Sequence, residues 1–129
     1  MIKIRLTERE LTEEKCADDS NSTTLDTVAS VRGVVVFEAF VQGEPNLVGI
    51  NYSIPSEEEL FSIITHCLTG EALRVEFIHR VGFVPVAERS ARIKIYFNSS
   101  HSETLSTLDS IISSVKSQNV FIKVPVYST

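Results

Sequence analysis

Between residues 31 and 41 the chain reads VRGVVVFEAFV, a near-continuous apolar run rich in β-branched side chains. Such a run is too short to cross a bilayer, and its composition favours an extended backbone. It predicts a central strand covered on both faces, so the rest of the chain must supply neighbouring strands and a covering layer. Leu47–Ile54 alternates, with Val48, Ile50, Tyr52 and Ile54 opposite Gly49, Asn51 and Ser53. The segment Gln42–Asn46 between the two runs contains Gly43 and Pro45, which predicts a turn and a hairpin.

Further period-2 segments occur at Met1–Leu6, Leu73–His79, Ala91–Phe97 and Val120–Tyr127, with a bend over Val81–Val86 marked by Gly82 and Pro85. Pro125 assigns the last of these to an edge or a strand end. Two segments change to helical spacing. Ser56 stands three residues before Glu59, the capping-box spacing, and Leu60, Ile63, Ile64, Cys67 and Leu68 share one face before a stop at Gly70. After the polar stretch Asn98–Ser102, Leu105, Leu108, Ile111, Ile112 and Val115 form a second apolar stripe. Thr12–Ala17 reads as a short polar helix, Asp18–Thr24 as a loop and Leu25–Ser30 as a helical turn. Strands mixed with single helices indicate a single α+β domain spanning residues 1–129.

The 129 residues, 43% hydrophobic and 22% charged, suffice for one buried core. Asp and Glu outnumber Lys and Arg by 17 to 12, a net charge of −5 that disfavours nucleic acid as a partner. Six of these acids fall within residues 8–19, read as a solvated face or as an acidic docking face. Two cysteines, Cys16 and Cys67, are too few for a disulfide scaffold or a zinc cluster and suit a reducing cytoplasm. Cys67 lies on an apolar stripe and reads as core. No membrane span or targeting segment is expected.

No nucleophile elbow, phosphate loop, dinucleotide fingerprint or metal motif occurs. One polar combination remains. Ser99, Ser100, His101 and Ser102 lead into a helix N-terminus, where free amides favour an anion, although a serine there also serves as a simple cap. Lys116 and Lys123 flank the turn Ser117–Asn119. If that turn folds the last strand beside the helix, both amines approach one site; otherwise each is plain surface. Ammonium groups held side by side disfavour each other's charge, one route to a nucleophilic amine.

These segments together resemble the large, catalytic subunit of molybdopterin synthase. Phe77–Ser90, FIHRVGFVPVAERS, is the most specific stretch. Ser99-Ser100-His101 is similar to the family's Ser-x-His-Arg segment, Lys116 and Lys123 to two lysines seven apart, and Phe37–Gln42 to F-x-G-x-x-R. The resemblance implies an α/β hammerhead-like fold, with a mixed antiparallel sheet and two main helices, in a cytoplasmic homodimer. It implies a sulfurtransferase that uses no cofactor or metal. Its partner would be a small ubiquitin-like sulfur-carrier subunit, whose thiocarboxylate tail delivers sulfur to a cyclic pyranopterin monophosphate in molybdenum cofactor biosynthesis. Lys116 and Lys123 would be catalytic, with His101, Ser100, Ser102, Gln42 and Phe37 in substrate binding. Gln42 and Ser102 stand where the family has arginines. Losing two bidentate anion-binding groups suits an alternative, a homologue that binds or regulates without catalysis.

Overall fold

The computed structural model describes residues 1–13, 33–68, 72–98 and 100–128. The expected loop at Asp18–Thr24, the turn at Leu25–Ser30, most of the short helix at Thr12–Ala17, Cys16, the Gly70 stop and Ser99 lie outside them.

Every backbone amide and carbonyl of a buried strand needs a partner, and β6 (Arg89–Phe97) finds partners on both sides. It pairs antiparallel with β4 (Ala72–Arg80) and with β2 (Gly33–Phe40). β1 (Ile2–Thr7) adds to β4 in parallel, giving a mixed four-stranded sheet of order β1-β4-β6-β2. A second, antiparallel sheet has the order β5-β3-β7, formed by β5 (Gly82–Pro85), β3 (Leu47–Ser53) and β7 (Ile122–Tyr127). The architecture is α+β, as expected, with two helices among the described residues.

Two expectations fail here. The apolar run of β2 is an edge strand of its sheet, with Val36 50% exposed, whereas β6 is the strand buried on both faces. The reason lies in the outward row of β6. Arg92 and Lys94 are only 8% and 9% exposed, although charged residues on an alternating strand normally mark its wet face. Arg92 donates to Glu38 of β2 at 2.7 Å and to the Thr12 carbonyl, and Arg89 donates to the same carboxylate at 2.8 Å. Burial pushes the Glu38 carboxyl up, but Arg92 and Arg89 outweigh it and hold the group below the usual carboxylate range. This double clamp fastens β2 to β6 and leaves Phe37 on the inner face.

The expected β2–β3 hairpin is also absent. β2 pairs with β6, and the segment after it crosses to the second sheet. Val41, buried beyond a register shift, exchanges backbone hydrogen bonds with Ala87 and Glu88 in the turn before β6. The chain is therefore held against that turn and cannot fold straight back. In the second sheet, Gly49 allows Phe83 and the Val84 backbone of β5 to close onto β3; a Cβ there would lie 2.6 Å from the Phe83 ring.

Helices α1 (Glu57–Cys67) and α2 (His101–Ser117) cover the inner face of the larger sheet. Ser56 caps α1 by accepting from the Glu59 amide at 3.2 Å, as its spacing predicts. Leu60, Ile63 and Ile64 of α1 meet Leu108 and Ile111 of α2 over Val75, Phe77, Ile93 and Ile95. The second stripe is rotated from its expected position. Leu105 is 42% exposed, whereas Thr104 and Thr107 are buried. Their hydroxyls donate to the carbonyls of Ser100 and Glu103 one turn earlier, so they enter the core with their polar atoms satisfied. Cys67 packs half-buried against the core, its Sγ 3.6 Å from Ser114 Oγ. Ile111 is fully buried, so Ile111→Ala should cost about 2–5 kcal/mol in urea denaturation, whereas Leu105→Ala should cost less than about 1 kcal/mol.

Candidate functional site

The site forms where the end of α2 meets the second sheet. After Ser117 the chain turns at Gln118 and Asn119, whose amides donate to the Ser114 and Lys116 carbonyls. Asn119 takes a φ of 49°, a left-handed conformation asparagine tolerates. Val120 and Phe121 then drop into the core, pinning the chain before β7 begins. β7 runs antiparallel to β3 in a register that sets Lys123 opposite Tyr52. Lys116 at the end of the helix and Lys123 on the strand consequently line one cavity of about 410 Å³. Phe37, Phe77, Ile93, Val115 and Phe121 form most of its apolar wall, with Tyr52, His79, Ser90 and Asn119 as further polar groups.

Among the described residues no arginine lines this cavity. Arg80, Arg89 and Arg92 are engaged with Glu88 and Glu38. Among the described residues the cationic groups of the cavity are therefore two flexible ammonium groups on an apolar background. That combination suits a carboxylate, thiocarboxylate or phosphate attached to an organic body. Among the described residues no group of His, Cys, Asp and Glu is arranged to hold a metal ion.

His79 continues the inward row Val75–Phe77 of β4 to the cavity wall and is 7% exposed. Its ring stacks on Phe121 at a centroid distance of 3.8 Å and meets the edge of Tyr52 at 5.0 Å. Nδ1 donates to the Arg80 carbonyl at 2.6 Å. Desolvation, together with the nearby Lys123 charge, lowers its pKa to about 4 against the opposing pull of that carbonyl. Burial likewise raises the Tyr52 hydroxyl, which is bonded to Ser90.

Of the remaining expected site residues, Phe37 lines the cavity and the others among the described residues lie elsewhere. Ser100 caps α2 by accepting from the Glu103 amide at 3.3 Å, and its hydroxyl lies 3.3 Å from that of Ser102. His101 is exposed, edge-on to Phe97 at 5.9 Å. The fifteen-residue rise from His101 to Lys116 is about 22 Å along the helix. These residues and the lysines thus occupy opposite ends of α2. Gln42 is exposed just beyond β2 and does not line the cavity, whereas Phe37 does. Sequence reasoning missed His79 and Tyr52 as site residues. The available signal was their place on the apolar rows of β4 and β3, where a polar tip among aliphatic neighbours marks a wall position.

The depressed His79 pKa has a consequence for stability. The unfolded chain takes up a proton near pH 6.5, whereas the folded chain does so only near pH 4. Stability should therefore fall as pH drops through that window, by up to about 3 kcal/mol. Denaturation at pH 7 and pH 4.5 checks this, and His79→Phe should flatten the difference.

No protein-family sequence model matches the chain, and no curated protein matches it. Solved structures do. Molybdopterin cofactor biosynthesis protein E from Burkholderia multivorans superposes with a TM-score of 0.74 at 15% identity, covering 100% of this chain and 91% of that one. The molybdopterin biosynthesis MoaE protein from Burkholderia ambifaria gives 0.71 at 13%, covering 100% and 92%. A complex of subunits 1 and 2 of molybdopterin-converting factor from Helicobacter pylori gives 0.70 at 14%, covering 98% and 90%. At these identities the likeness concerns backbone architecture, and it spans nearly the whole of both chains. The two sheets, the two helices and the order in which they follow one another are the fold of the MoaE proteins.

Proposed function

We propose that this chain is the large subunit of a molybdopterin synthase, transferring sulfur from a thiocarboxylated carrier protein to a cyclic pyranopterin monophosphate in molybdenum cofactor biosynthesis. The observation that carries this reading is the meeting of Lys116 and Lys123 in one apolar cavity of a chain with the MoaE fold. An extended carrier tail ends in an anion, and the pterin precursor carries a phosphate. Both are stabilised by ammonium groups set beside an apolar wall. Lys116, at the mouth between helix and turn, acts as the covalent or proton-transferring amine. Lys123, beside Tyr52 and His79, binds substrate and stabilises charge. The carrier's sulfur bonds to the pterin, water then cleaves the acyl–sulfur bond, and the carrier leaves each transfer with a carboxylate tail.

His101, Ser100 and Ser102 cannot reach this cavity within one chain, because α2 separates them from Lys116. In a homodimer a second copy would bring its helix N-terminus to the site, where backbone amides and His101 favour the phosphate. The absence of arginine from the lining among the described residues favours a second reading, a subunit that binds the carrier without turnover.

Incubation with thiocarboxylated carrier and pterin precursor distinguishes the two: dithiolene product supports synthase activity, and carrier binding without product supports the binding module. Lys116→Ala should lower conversion by at least about 100-fold with the melting temperature unchanged. Retained activity in that variant overturns the role given to Lys116. Mixing inactive Lys116→Ala and His101→Ala chains should restore part of the activity if each site draws on two copies, and none if it does not.

A further inference from the structure

We infer that His79 is a specificity-determining residue of the cavity, a neutral hydrogen-bond acceptor that selects an organic anion carrying an N–H or O–H donor on its body. The inference rests on the cavity being the ligand site proposed above, and it adds a chemical requirement that the two lysines do not impose.

The tautomer follows from one contact. A carbonyl oxygen only accepts, so the 2.6 Å bond to Arg80 requires the proton on Nδ1. The neutral ring then carries its lone pair on Nε2. That nitrogen has no hydrogen-bond partner among the described residues, and the ring that carries it lines the cavity. The ring cannot turn away. Phe121 lies against one face at 3.8 Å and Tyr52 meets it edge-on, while the backbone bond fixes its rotation. Desolvation and the neighbouring ammonium group of Lys123 keep it uncharged at neutral pH.

The other polar groups of the wall differ in kind. Both ammonium groups are donors only. The Ser90 hydroxyl donates its proton to the Ala39 carbonyl, and the Tyr52 and Asn119 side chains each carry both a donor and an acceptor. A ligand therefore meets cationic donors at Lys116 and Lys123, groups of both kinds at Tyr52 and Asn119, and at His79 a fixed lone pair. An anion without a donor satisfies the lysines and leaves the His79 lone pair stripped of water and unpaired, which is unfavourable.

Two flat aromatic acids test this. Pterin-6-carboxylate carries ring and exocyclic N–H donors, whereas 2-naphthoate has similar size and charge but no donor. In direct binding measurements at pH 7, the full chain should prefer pterin-6-carboxylate by roughly 10-fold or more. His79→Phe, which keeps a ring against Phe121, should lose that preference and retain its affinity for 2-naphthoate. His79→Leu carries no acceptor at all, and should behave in the same way if the phenylalanine variant does not fold. Equal affinity of the unaltered chain for both acids, or a preference that survives both substitutions, overturns the role of His79 and leaves the lysine site standing. Failure of the unaltered chain to bind either acid overturns the anion-binding cavity and this inference with it.

Discussion

The pairing of Lys123 with Tyr52 across β7 and β3 is the constraint on which the site depends. A one-residue slip in that register would turn Lys123 to the opposite face of the sheet and remove one of two cations from the cavity. The register is held from both ends. Val120 and Phe121 are buried immediately before β7, and at the far end the Ser128 amide donates to the Asn46 carbonyl. Phe121 also forms the stacking surface for His79. The residues that fix the strand thus also position the imidazole, and the chemistry of the cavity is tied to the packing beneath it.

The two sheets divide the work. The larger sheet, clamped by Glu38 between Arg89 and Arg92 and covered by two helices, supplies a rigid wall carrying Phe37, Phe77, His79 and Ile93. The smaller sheet brings Tyr52 and Lys123 against that wall. Arginine has been used where a planar, bidentate group stabilises strand pairing, on the outer face of the larger sheet. Lysine, a flexible point charge, has been left at the cavity. A site of this kind attracts anions without dictating their geometry, and the neutral imidazole adds a directional element.

The strands and helices were largely legible because their periodicities are strong. The Ser56 cap, the helix that follows it and the strand Ala91–Phe97 all emerge from spacing alone, whereas the segment expected to bend over Val81–Val86 holds the strand β5. The failures have identifiable physical causes. Val31–Val41 looked central because it is apolar, whereas β6 looked half-wet because Arg92 and Lys94 alternate along it. Burial of Arg92 is made possible by an ion pair with Glu38, distant in the chain, which no local window contains. Leu105 and Thr104 exchanged their expected places because a threonine that donates to the preceding turn enters the core at little cost.

The sequence by itself determined the element types, two lysines separated by a tight turn, a serine-capped second helix and an acidic, cysteine-poor chain. These are local properties, set by side-chain period, turn chemistry and composition. Only the tertiary structure decided which strands are neighbours, that the turn after Lys116 carries Lys123 back to the same cavity, and that His101 lies a helix length away. It also made His79 a neutral acceptor, since that state arises from an aromatic stack, a backbone carbonyl and an ammonium group contributed by three separate parts of the chain. Such properties depend on contacts between residues far apart in sequence, whose distances are set by packing rather than by any local pattern.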